Sequence, residues 1–200
     1  MKRRGSGPFT SVKTVTFVII LLFSSSLPLG AESEIPGQGI DPATVTDYLV
    51  SIIRADRQVY TSDVVKRMQD QGIVLAKEDW IDKNAIPLPA QFLHRSSKIV
   101  AESGSGIRFR LISLWPIYQK NGPATPFERK GLEKILTAPD VPHRGVVTTG
   151  KKKFFQSIYA DNATSMACVI CHNTHPLSPK RDFKVGDVLG AIVITIPMEN

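Results

Sequence analysis

Cys168-Val169-Ile170-Cys171-His172 is the stretch from which the rest of this 200-residue chain can be read. Two thiols with two residues between them, and an imidazole directly after the second, form the attachment sequence of a c-type haem. Each thiol can add to one porphyrin vinyl group, the gap matches the separation of those vinyls, and the histidine is carried beneath the iron. The chain holds two cysteines and four histidines, so a chance C-x-x-C-H would arise roughly once in two thousand such chains. Other uses of the pair can be weighed. A thioredoxin-like dithiol normally opens a helix after a strand in a βαβ unit, and no such pattern is visible. A structural zinc site wants four ligands, and there is no second cysteine pair. A plain disulfide stays open. The expectation is one covalent haem c, with Cys168 and Cys171 as the attachment residues and His172 as the proximal iron ligand.

The other end of the chain agrees independently. Lys2, Arg3, Arg4 and Lys13 form a positive region, Val15 to Phe23 is apolar apart from Thr16, and Leu29-Gly30-Ala31 ends on a small residue. This is the layout of a secretory signal peptide over residues 1–31. The apolar run is short for an uncleaved anchor, which needs about 20 such residues. Bacterial c-type haem is attached outside the cytoplasmic membrane, so an exported, periplasmic and soluble mature protein is expected.

Removing residues 1–31 also changes the charge argument. The net charge of +7 includes four basic residues and no acidic ones in that segment, which leaves 21 basic against 18 acidic residues, or +3. The basic excess therefore gives no reason to expect nucleic acid as a partner. Lys151-Lys152-Lys153 is the one dense basic run that remains. It suits a solvated hairpin turn, and its sharper use would be a docking patch for an acidic redox partner.

Residues 32–43 look like a flexible lead-in, and residues 44–200 form one domain long enough to enclose a haem. Asp41-Pro42 opens a helix, with Asp as N-cap and Pro at the first position. Apolar residues recur at helical spacing from Val45 to Tyr60, Thr61-Ser62-Asp63 interrupts the pattern, and the stripe ends at Gly72. A second helix is expected from about Ala90 to Glu102. Ile107 to Leu114 alternates as a strand does. Thr125-Pro126-Phe127-Glu128 is a capping box for a helix to about Leu136. Val146 to Thr149 and Phe154 to Tyr159 read as strands around a turn. Val188 to Ile196, almost wholly apolar, suits a strand buried on both faces. Helices first and then mostly strands predict an α+β fold with an antiparallel sheet.

Cys168 to Lys180, followed by Asp182-Phe183-Lys184-Val185-Gly186-Asp187 and Gly190, resembles the signature of a family of single-haem c-type proteins with a PAS-like fold. That family occurs as free exported proteins and as extracytoplasmic sensor modules of membrane histidine kinases and chemoreceptors. Arg54-Ala55-Asp56-Arg57 with Tyr60-Thr61, Ile86-Pro87-Leu88-Pro89-Ala90, and Phe127-Glu128 match in the family's order, so the resemblance covers most of residues 44–197. It implies an antiparallel sheet flanked by helices, with haem held against one face. Some members place a cysteine on the distal side of the iron. This sequence departs from them, because both of its cysteines are used in attachment.

The occupant of the second axial position decides between a closed electron carrier and an open, gas-accessible iron. His94, on the flank of the second helix with Ala90, Lys98 and Ala101, is the leading distal candidate. His143 follows in a loop. Met68 suits core packing, Met166 stands too close to Cys168 to cross over, and His175 stands too close to His172 and reads as a residue packing or hydrogen-bonding locally. Arg57 and Tyr60, three apart on one helix face, form a second cofactor-binding group. An arginine can pair with a haem propionate, and a tyrosine can donate to one or line the distal pocket. Three functions follow: a non-enzymatic electron carrier serving a redox partner protein or membrane electron-transfer chain, an extracytoplasmic redox or diatomic-gas sensor acting through a separate partner, and a peroxidase-like enzyme. The last would need a positioned distal acid or base, which the sequence does not offer, so no enzymatic activity is expected.

Overall fold

A computed structural model describes residues 39–198. The expected signal peptide and most of the lead-in lie outside the described residues. Helix α1 spans Pro42–Val59, a π-helical segment Tyr60–Lys66 continues it, and α2 spans Arg67–Asp70. A two-residue parallel ladder follows, β1 (Ala76–Lys77) with β2 (Ile86–Pro87), and then α3 (Pro89–Glu102). The remainder is β3 (Arg108–Ile112), α4 (Pro126–Thr137), β4 (His143–Thr149), β5 (Lys152–Asn162), α5 (Met166–Thr174) and β6 (Val188–Pro197). The large sheet has the order β3-β6-β5-β4 with every neighbour antiparallel. The chain is thus α+β, as its pattern of helices followed by strands predicts. No helix among the described residues is long and apolar enough to cross a membrane.

Local chemistry sets the helix starts. Asp41 accepts from the Thr44 amide ahead of Pro42, and the Thr125 hydroxyl accepts from the Glu128 amide at 3.2 Å ahead of Pro126. The Glu128 carboxylate does not complete the expected box. It turns instead to the Ala124 amide and to Arg110. Thr61-Ser62-Asp63 does not break the first helix either. The Thr61 hydroxyl donates to the Arg57 carbonyl at 2.7 Å, and the chain widens into a π-helix rather than stopping.

Central strand β6 explains its own composition. On one face Ile192, Ile194 and Ile196 pack with Tyr159 and Phe109 under Val50 of α1 and Leu93 of α3. On the other, Ala191 and Val193 join Ile112, Ile158 and Ala160 beneath Leu132 and Ile135 of α4. Both faces are buried, so a polar alternation would place unpaired groups in the core. Each of the fully buried isoleucines 158, 192 and 194 contributes about 1.5–3 kcal/mol by leaving water.

Three buried hydroxyls pin α1 to the sheet. Thr46 Oγ1 donates to the Ala43 carbonyl and stands 2.8 Å from both Ser157 Oγ and the Tyr159 hydroxyl, which donates to it. Thr46 and Ser157 are fully buried. Thr46→Val keeps the shape and removes the shared acceptor, so it is expected to cost about 1–3 kcal/mol. Thr46→Ser should recover most of that loss in urea unfolding. Equal midpoints for Thr46→Val and the parent would rule this pinning out.

Candidate functional site

Helix α5 leaves directly from the end of β5 and carries the C-x-x-C-H sequence. Cys168, Cys171 and His172 stand at i, i+3 and i+4, which places both thiols and the imidazole on one helix face. Val169, on another face, is buried against Ala163, Phe183 and Leu189 and fixes the helix's rotation. Both cysteines are free and half-buried. The arrangement is strand–helix–strand, yet β5 and β6 are antiparallel neighbours, so it is not the parallel βαβ unit of a thioredoxin-like dithiol. The chemistry differs as well. Burial pushes the Cys171 thiol up, and Glu78 and Cys168 add to the shift, whereas redox-active thiols are held low. Among the described residues no three His, Cys, Asp or Glu side chains cluster as a metal cage, which leaves a structural zinc without its ligands.

His172 is half-buried beside the two thiols. Burial lowers its pKa, Asp161 opposes that and His175 adds to it. The shift favours the neutral imidazole, the form that binds a metal. Its Nδ1 is buried with no hydrogen-bond partner, which leaves Nε2 as the nitrogen that can meet a metal. The ring meets Phe183 edge to face at 5.7 Å. Asn173 then clips the following loop to the helix: its side chain donates to the Phe183 carbonyl at 2.9 Å and accepts from the Phe183 amide at 3.0 Å.

Two further groups border α5. Arg57 of α1 makes a bidentate pair with Asp161 at the end of β5, one arm measuring 2.8 Å. Burial works against the guanidinium's charge, but the hydrogen bond and charge of Asp161, with a smaller contribution from Cys168, raise its pKa overall. The neighbouring Arg54 donates to the Ala160 carbonyl at 2.6 Å. Tyr60, which opens the π-helix, donates to the Pro87 carbonyl at 2.7 Å and stacks on Phe92 with centroids 4.5 Å apart. On the Cys171 side, Glu78 joins His175 Nε2 at 2.9 Å and the Tyr118 hydroxyl at 2.7 Å. The Leu177 amide donates to His175 Nδ1, so Nε2 carries the proton toward Glu78. The hydrogen bond to Glu78 pushes Tyr118 up to about 12, with burial, the Glu78 charge and Cys171 adding to it.

The other sequence candidates stand on several elements. His94 is exposed on α3. His143, at the start of β4, packs its ring on Phe127 at 4.5 Å, and its pKa is lowered by burial and then by Lys134 and Lys130. Met68 is half-buried on α2, and Met166 is exposed at the start of α5. Lys151 to Lys153 are exposed at the β4–β5 turn. That turn is about 30 Å along β5 from the end that meets α5, so a partner docked there would stand far from the thiols. Glu78, Tyr118 and Asp161 carried no sequence signal, because each acts through a partner distant in the chain. Asn173, directly after the histidine, could have been suspected as a clip for the loop.

A family model described as Tll0287-like matches residues 43–197. Among solved structures, the crystal structure of the cyanobacterial heme-protein Tll0287 matches with a TM-score of 0.51 and 17% identity, over 80% of this chain and 98% of that one. At that identity the likeness speaks for the fold. No curated protein matches.

Proposed function

The chain belongs to the Tll0287-like family, and from that membership we propose that it is an exported, periplasmic monohaem c-type cytochrome that transfers electrons through covalently attached haem. One observation carries the reading: two free thiols and an imidazole share one face of α5. The name of the solved relative, a heme-protein, supports it. Bound there, haem supplies a one-electron iron centre.

The protein's own residues do the rest. Cys168 and Cys171 fix the porphyrin, and the neutral His172 faces the iron. Arg57 spends two of its five N–H donors on Asp161 and keeps three for a propionate, with Tyr60 beside it. His94 is the proposed distal ligand. Met166, Ile170 and Leu177, each more than half exposed around α5, give an apolar rim of the kind a redox partner protein covers.

The reduced protein, matured with its signal in a host that assembles c-type cytochromes, is expected to give a low-spin visible spectrum that carbon monoxide does not change. A carbon monoxide shift would overturn electron transfer in favour of a diatomic-gas sensor acting through a separate partner. Loss of all colour on acid-acetone extraction would sink covalent attachment itself.

A further inference from the structure

The α4-side face of the sheet carries a feature that the haem site does not use. Nearest α5 a row of Ile112, Ala191 and Ala160 is apolar, and the next sets Val193 and Ile158 between Arg110 and His143. The next row crosses all four strands as Arg108, Thr195, Gln156 and Gly145, paired in direct register. Directly opposed residues share a face, so a guanidinium, a hydroxyl and an amide stand side by side where the core would otherwise continue. The first turn of α4, Pro126 to Glu128, borders them. Gly145 leaves room for Phe127, whose ring is 2.8 Å from where a Cβ would sit. The result is a cavity of about 630 Å³ over this row, floored by Gln156 and Thr195 and walled by Arg108, Phe154, Phe127 and Val147. That is the size of a small-molecule site. No residue of α5 lines it, and Gln156 stands five residues, about 17 Å, along β5 from Asp161.

Two polar groups at the cavity have no hydrogen-bonding or carboxylate partner from the protein, one on buried Gln156 and one on exposed Arg108. Gln156 is 8% exposed; its Nε2 donates to Thr195 Oγ1 at 3.0 Å, and its Oε1 is buried with no partner. Turning the amide over only exchanges which terminal atom is orphaned. Arg108 lies over the Phe154 ring at 5.0 Å and has no carboxylate partner among the described residues. By contrast Arg110, two residues on, is neutralised by the buried Glu128 and also reaches the Gly122 carbonyl. The cavity therefore offers one free positive charge, one buried amide end and apolar walls.

We propose that this cavity binds a small monocarboxylate bearing a hydroxyl group and an apolar tail. The carboxylate pairs with Arg108, the hydroxyl meets the Gln156 amide in either orientation, and the tail lies against Phe154, Phe127 and Val147. A hydroxyl is the fitting group because it can both donate and accept. One carboxylate matches one unpaired guanidinium, and a second would be buried without a partner.

Calorimetric titration of the haem-loaded protein with L-3-phenyllactate tests this. Saturable binding is expected, weaker by at least about tenfold for 3-phenylpropionate, which lacks the hydroxyl, and for the Arg108→Gln variant. Arg108→Lys should restore part of the loss, and an unchanged haem spectrum in both variants separates this site from the haem. No saturable binding by 10 mM phenyllactate (roughly the weakest affinity a real site would show), or equal affinity in Arg108→Gln, overturns the proposal.

Discussion

Alanine at both Cys168 and Cys171 is expected to abolish haem that survives denaturation, the largest change any substitution in this chain should produce. The two sulfurs project from one face of α5, and that helix is held by buried Val169 and by the Asn173 clip. Porphyrin attachment at this site has no third thiol to fall back on, since the chain has two cysteines. Haem staining of a denaturing gel should show a band for the parent and none for the double variant. Single alanine variants should keep a weaker band through the remaining thioether. His172→Ala leaves both thiols in place, so it should retain the band while changing the visible spectrum. A stained band in the double variant would place attachment outside α5.

Gly190→Ala should be the most damaging single change outside that site. Gly190 lies in β6 opposite Asp161, where β3 passes close by. An added Cβ would intrude on the Ile112 carbonyl oxygen and approach Ser113 Cβ to 3.2 Å. The obstacle is backbone, held in place by the β3–β6 ladder and by the Ser113 hydroxyl, which donates to the Leu189 carbonyl at 2.7 Å. It cannot swing aside as a side chain would. Overpacking of this kind costs about 3 kcal/mol, or roughly 6–12 °C in Tm for a domain of this size. The same change at Gly39, where a Cβ meets nothing, should leave the midpoint where it was. A Gly190→Ala melting temperature within about 2 °C of the parent would show that β3 does not approach so closely.

Both results bear on how far the chain could be read without its fold. Helix starts at Asp41-Pro42 and Thr125-Pro126 were legible because a cap acts within three residues. The second helix, expected from Ala90, begins at Pro89, and the strand expected from Ile107 begins at Arg108. The apolar run from Val188 announced a strand covered on both sides. The π-helix escaped, since Thr61, Ser62 and Asp63 signal a break when read alone. The ladder of β1 with β2 escaped too, because two residues carry no periodicity.

At the site the division is sharper. C-x-x-C-H is a local device: its spacing alone brings two sulfurs and an imidazole to one face of any helix it forms. Everything that surrounds those atoms comes from far away. Asp161 reaches Arg57 across 104 residues of sequence, and Tyr118 reaches Glu78 across 40. The polar row of Arg108, Thr195 and Gln156 exists only because β6 is inserted between β3 and β5. Sequence alone determined the grouping of two thiols and an imidazole, the α+β class and the strand that must be buried on both sides, since these rest on interactions a few residues long. Tertiary structure decided which charges border the thiols, the downward shift of the His172 pKa and the cavity beside α4, because burial and long-range pairing depend on what the topology lays against each side chain.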